Sequence, residues 1–173
     1  SAPWGGEGGG LRLSVSPASL NNVEITDNFA SGSGAGLWLD HGTGSMVSNS
    51  WISGNMAGQD GGGVYARGSD EPGDLHFENV RIVGNETGER GGAMFIEYSV
   101  SLANVVIAGN TSAESAGGLY LEVSATATVV NADISNNSGG MGTRGGGIFV
   151  RGGDGSISLG YSNIWGNSPD DVR

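Results

Sequence analysis

The chain of 173 residues contains no cysteine and no lysine, only 4 prolines, and no apolar run long enough to cross a membrane as a helix. Without cysteine there is no disulfide framework, no thiol chemistry and no thiolate metal site. So little proline excludes a collagen-like or proline-rich extended chain. A membrane-spanning helix needs about 18 or more consecutive apolar residues, so membrane insertion is not expected. Ser1 is followed by neither a basic stretch nor an apolar one, so no secretory leader is legible, as in a mature or excised fragment. Cationic charge is scarce as well. All 7 basic residues are arginine against 18 acids, a formal net charge of −11. Such a surface opposes nucleic acid and anionic membranes, and it leaves cation binding open.

Glycine, in contrast, is abundant at 35 residues. It is not spread as in a linker but recurs in register with apolar residues. A segment ending in Ile-x-x-Asn occurs six times, closing at Asn28, Asn55, Asn85, Asn110, Asn137 and Asn167, with spacings of 27, 30, 25, 27 and 30. Five residues before each Ile stands an apolar residue: Leu20, Val47, Phe77, Leu102, Val129 or Leu159. Three before it stands Asn22, Asn49, Asn79, Asn104 or Asn131, and in the last copy Tyr161. Between these segments lies a second one, three small residues followed by apolar-x-apolar, such as Gly61-Gly62-Gly63-Val64-Tyr65-Ala66. The arc from each Asn to the next aromatic is 10 residues in four junctions and 12 in the fifth, whereas the return varies from 15 to 20. Length variation confined largely to one side is what a solenoid tolerates.

Alternation with period two after the glycines indicates strands, and no helical spacing is present. Leucine-rich repeats and propeller blades have other periods and patterns. The expectation is an all-β, right-handed parallel β-helix of about six coils, two strands per coil, forming one domain over residues 1–173 or a segment of a longer solenoid. In such a stack each column becomes a ladder with a rise of about 4.8 Å per coil. The Ile and Leu/Val/Phe columns face inward. The column Asn28, Asn55, Asn85, Asn110, Asn137 and Asn167 is expected to be a structural ladder of hydrogen-bonded amides. Glycan acceptor motifs at Asn85, Asn110 and Asn136 overlap that ladder and are read as accidental.

These residues resemble the right-handed parallel β-helix repeats of bacterial secreted proteins, nearest to the polymorphic outer-membrane-protein type, whose repeats carry Gly-Gly-Ala-Ile and Phe-x-x-Asn. Gly91-Gly92-Ala93-Met94 looks like the first motif, and Ile82-Val83-Gly84-Asn85 like the second, with Ile for Phe. The resemblance runs from Gly8 to Asn167. It implies an extracellular or cell-surface protein, bacterial in origin, often adhesive.

Several columns could carry function. By alternation the aromatic column Trp38, Tyr65, Phe95, Tyr120 and Phe149 points away from the core, with Arg12 in the first copy. It would either stack on itself under loops or offer a stripe to a glycan or protein surface. Beside it run Asp40, Arg67, Glu97, Glu122 and Arg151, with Asp60 and Arg90 nearby, placed to pair between neighbouring coils. The acidic loop containing Asp70, Glu71 and Asp74 is the one Ca²⁺ candidate; no other cofactor is suggested. Polysaccharide lyase or hydrolase activity would need clustered carboxylates with a basic partner on the outer face. The column Glu24, Trp51, Arg81, Val106, Asp133 and Asn163 gives only isolated acids there, and His41 and His76 lie in different columns. No catalytic residue is therefore assigned. The expectation is a non-catalytic structural or interaction module, an adhesin-like scaffold or a filament subunit. Neither tail resembles a capping helix, which points to end-to-end self-association or to further coils. Carbohydrate binding or degradation is the alternative.

Overall fold

The computed structural model describes residues 6–14, 17–41, 44–68, 75–140, 145–170 and 172. Every strand pairing in it is parallel, and the chain winds as a β-solenoid with a period near 27 residues. The first sheet stacks Leu11–Ser14, Leu37–Asp40, Val64–Arg67, Met94–Ile96, Leu119–Leu121 and Ile148–Val150. The second stacks Ser19–Asn21, Met46–Ser48, Leu75–Glu78, Val100–Ala103, Thr126–Val130 and Ser156–Gly160. The third stacks Glu24–Thr26, Trp51–Ser53, Arg81–Val83, Val106–Ala108, Asp133–Ser135 and Asn163–Trp165. A fourth sheet has four two-residue strands, from Phe29–Ala30 to Thr111–Ser112, and isolated bridges through Ser138 and Ser168 carry it on.

Two expectations change here. Six rungs make about five full turns, because five returns join six copies. Each coil holds three strands and a short fourth, not two. The reason lies in the column Asn22, Asn49, Asn79, Asn104, Asn131 and Tyr161, whose φ values run from 49° to 58°. Asparagine tolerates the left-handed region better than most residues, so it bends the chain between apolar column and Ile. What reads in the sequence as one segment is a corner between the second and third sheets.

A second left-handed corner falls immediately before the inner Asn, at Asp27, Gly54, Gly84, Gly109, Asn136 and Gly166. A third is the first residue of the small triplet, for example Gly61 and Gly91. The middle glycines have a different job. A Cβ on Gly92 would lie 2.4 Å from the Thr111 carbonyl oxygen and 2.5 Å from that of Gly117. Glycine is there because the next rung's backbone occupies the space.

The core is one thin cluster inside the coils. Its axis is the Ile column, with Ile52, Ile82, Ile107 and Ile134 fully buried, flanked by Val47, Phe77, Leu102 and Val129. Burying each such side chain contributes roughly 1.5–3 kcal/mol, and register is strongly specified because a one-residue slip would turn every column outward. Turns stack as strands do: Gly36 N–H donates to the Gly62 carbonyl at 3.2 Å, and Gly34 N–H to that of Asp60 at 3.0 Å.

Candidate functional site: ladders, lateral faces and open ends

The inner Asn column is a hydrogen-bonded ladder. Nδ2 of Asn28 donates to Oδ1 of Asn55 at 2.9 Å, and the same link joins Asn55 to Asn85, Asn85 to Asn110, Asn110 to Asn137 and Asn137 to Asn167. Each of those acceptor oxygens also takes the backbone N–H of the preceding Asn, as Oδ1 of Asn110 does from Asn85 at 2.9 Å. Each Nδ2 from Asn55 onward donates back to the Ile carbonyl of the previous coil, as Asn110 does to Ile82 at 3.0 Å. The buried amides are thereby satisfied within the stack. Asn85 and Asn110 are 1% and 0% exposed, so a glycan there would have no room; Asn136 lies outward at its corner.

A second amide ladder runs on the surface with the opposite polarity. Asn49 donates to Asn21 at 2.8 Å, Asn79 to Asn49 at 3.2 Å, Asn104 to Asn79 at 3.1 Å, and Asn131 to Asn104. Sequence reasoning found the column but not its role, because a left-handed corner has no signature beyond Asn itself.

The aromatic column lies outside the core, and its rings are stacked on one another. Centroids are 6.2 Å apart for Trp38 and Tyr65, 5.3 Å for Tyr65 and Phe95, 4.9 Å for Phe95 and Tyr120, and 5.2 Å for the tilted pair Tyr120 and Phe149. Arg12 stands 4.2 Å from the centroid of Trp38, and Arg90 covers the rings of Phe95 and Tyr120. Trp38, Phe95 and Tyr120 are buried, while Tyr65 and Phe149 are half-buried. Of the two alternatives for this column, the geometry is that of self-stacking. The ring faces a sugar would need are held by neighbouring rungs.

The charged residues around this stack pair along the axis. Arg90 grips Asp60 through Nε at 2.9 Å and through an Nη at 2.8 Å, and lies 3.7 Å from Glu122, which also binds Arg151. Arg67 is 3.6 Å from Asp40, which His41 approaches at 2.9 Å. The Tyr65 hydroxyl donates to Glu97 at 2.8 Å. Burial pushes the Asp60 carboxyl above the ordinary aspartate range, although Arg90 opposes the shift. Glu97 is likewise raised by burial, against the Tyr65 hydrogen bond and Arg67. Tyr65 is raised by burial and by Glu97. These acids are engaged by cations or a phenol on neighbouring rungs, and His76 is exposed on the second sheet, away from them.

Asp70, Glu71 and Asp74 lie outside the described residues. Among the described residues no three metal-ligating side chains come together.

The column set aside for catalysis carries the open chemistry. Trp51 is 42% exposed on the third sheet, with Glu24 and Arg81 as its register partners on either side. They line an open groove of about 390 Å³ together with Asn22, Asn49 and Asn79.

At both ends the rungs lose a neighbour. Leu11, Leu13, Leu20 and Val23 are only partly buried at one end, and Val150, Ile157 and Ile164 at the other. An opening of about 350 Å³ is lined by Leu11, Val23, Ile25 and Asn28. At the far end Val172 bridges Ile148 in parallel, placing a residue of the first sheet on a further rung. No protein-family model, no curated protein and no solved structure matches the chain.

Proposed function

We propose that the chain is a non-catalytic structural and interaction solenoid of an extracellular or cell-surface protein, bacterial by its repeat type. It serves as an adhesin-like scaffold or filament subunit extended by stacking rung on rung. The observation that carries this reading is that the second- and third-sheet columns are alike at the two ends. The first rung presents Leu20, Ile25 and Asn28, and the last presents Leu159, Ile164 and Asn167 in the same columns, whereas on the first sheet Ile148 is already bridged by Val172. On the second and third sheets a last rung therefore fits a first rung as one rung fits the next, a heterologous contact that does not close on itself. Further coils of the same polypeptide, or a second copy, satisfy it equally. The non-catalytic part is supported by the acids of the first sheet, which are engaged in ties between rungs.

Sedimentation across a wide concentration range and negative-stain microscopy test the self-stacking limb. The expected result is concentration-dependent rods lengthening in steps of about 29 Å, six rungs at about 4.8 Å each. A chain that stays monomeric and fibre-free at high concentration overturns it, leaving further coils of one polypeptide as the partner.

A further inference from the structure

We infer that the groove at Trp51 is a binding site for a neutral glycan chain. Three observations converge on it. Trp51 is an exposed tryptophan whose register neighbours Glu24 and Arg81 are both charged, and Arg81 lies 5.3 Å from its ring centroid. On the rung to the other side the column holds Glu24, and both charged residues line the groove of about 390 Å³. Along its edge runs the surface amide ladder, with Asn49 and Asn79 each spending only part of their donors and acceptors on neighbouring rungs.

Each part suits one feature of a pyranose. The indole supplies a flat apolar face for the axial C–H groups of a sugar. Glu24 accepts from hydroxyls, Arg81 donates to them, and the asparagine amides do both. The row spans two rung spacings, about 10 Å, so successive sugar units can follow the solenoid axis. Charge selects the class of glycan. With a net charge of −11, the molecule repels uronates, sulfated chains and nucleic acid, and Glu24 stands inside the groove itself. Backbone hydrogen bonds hold Trp51 and Arg81 in adjacent strands, with Arg81 N–H donating to the Ser50 carbonyl at 3.0 Å, so the backbone that carries the two side chains is set in register before the ligand arrives.

This deepens the interaction-module reading by naming a ligand class. The test is affinity electrophoresis and surface binding with neutral hexasaccharides of glucose, mannose and N-acetylglucosamine, using hexagalacturonate as the anionic control. At least one neutral probe is expected to bind and hexagalacturonate not to. Trp51→Ala is expected to weaken binding about tenfold or more, as for an aromatic anchor, and Arg81→Ala less. Trp165→Ala, an exposed tryptophan on the last rung of the same sheet, is expected to leave binding unchanged. Unchanged far-ultraviolet dichroism and melting of Trp51→Ala show that the loss is local. Absence of binding to every neutral probe, binding that survives Trp51→Ala, or preference for hexagalacturonate overturns the inference. Cleavage of a bound hexasaccharide, followed by mass spectrometry, overturns the non-catalytic reading and leaves the groove standing.

Discussion

Asn110 donates from Nδ2 to Oδ1 of Asn137 at 2.9 Å, and its own backbone N–H reaches the same oxygen at 3.0 Å. The two residues are 27 apart in sequence and one rung apart in space, so one amide ties side chain and corner of adjacent coils together. The same oxygen–amide relation repeats along the axis. The stack is thus held by a polar spine as well as by its apolar core.

Breaking the spine in the middle is expected to be costly. Asn110→Ala removes the acceptor for the Asn85 amide and backbone N–H and the donor to the Ile82 carbonyl, leaving them buried. Each unsatisfied group costs about 1–3 kcal/mol, so a loss of at least about 3 kcal/mol is expected in urea unfolding. A loss below about 1 kcal/mol would show that water replaces the ladder.

Mild acid is expected to stabilise the fold. Asp60, Glu89 and Glu97 are all raised above their ordinary values of 3.8, 4.5 and 4.5, with burial the largest cause. The folded state then binds more protons than the unfolded state just above those values. Stability falls as pH rises through that window and is regained as pH is lowered from neutral towards about 5. Relief of repulsion in a chain of net charge −11 acts in the same direction. Glu97→Gln keeps an acceptor for Tyr65 and is expected to flatten the pH dependence of the melting temperature. A melting temperature that drops between neutral pH and about 5 would contradict this.

Tyr161 is the one member of its corner column that is not asparagine, with φ of 49° and 95% of its surface exposed. The left-handed conformation costs a non-glycine residue roughly 1–2 kcal/mol, less for asparagine. Tyr161→Asn is expected to raise stability by about 0.5–1 kcal/mol, or about 1–4 °C in a chain of this size. It would also extend the surface amide ladder by one rung beyond Asn131. Calorimetry checks this, and an unchanged or lower midpoint would refute it.

The glycines are expected to separate into two kinds under substitution. Gly92→Ala puts a methyl group against two backbone oxygens of the next rung and is expected to cost about 3 kcal/mol or more, since backbone cannot step aside. Gly84 has φ of 63° and nothing within 4 Å of a Cβ, and its column already contains Asn136. Gly84→Asn is expected to be nearly neutral. Parallel thermal melts of the two variants decide it.

The inner Asn column was legible from its spacing alone, because a solenoid repeats one environment every coil and the residue that satisfies it must repeat as well. The binding face was not legible. Trp51 belongs to a column of unlike residues, Glu24, Arg81, Val106, Asp133 and Asn163, and periodicity has nothing to say about a column without a pattern. The aromatic column had a strong pattern and drew attention for that reason, yet its regularity comes from the rings stacking on one another.

By itself the sequence determined the parallel solenoid, the inward Ile column and the amide spine, since stacking in register converts spacing directly into contact. Only the tertiary structure decided that Asn22, Asn49, Asn79, Asn104 and Asn131 turn a corner, which makes two sheets where one segment is written. It alone decided that Trp38, Phe95 and Tyr120 are covered while Trp51 is open. Exposure depends on what neighbouring rungs place above and below a side chain, and those neighbours lie 25 to 30 residues away in the chain.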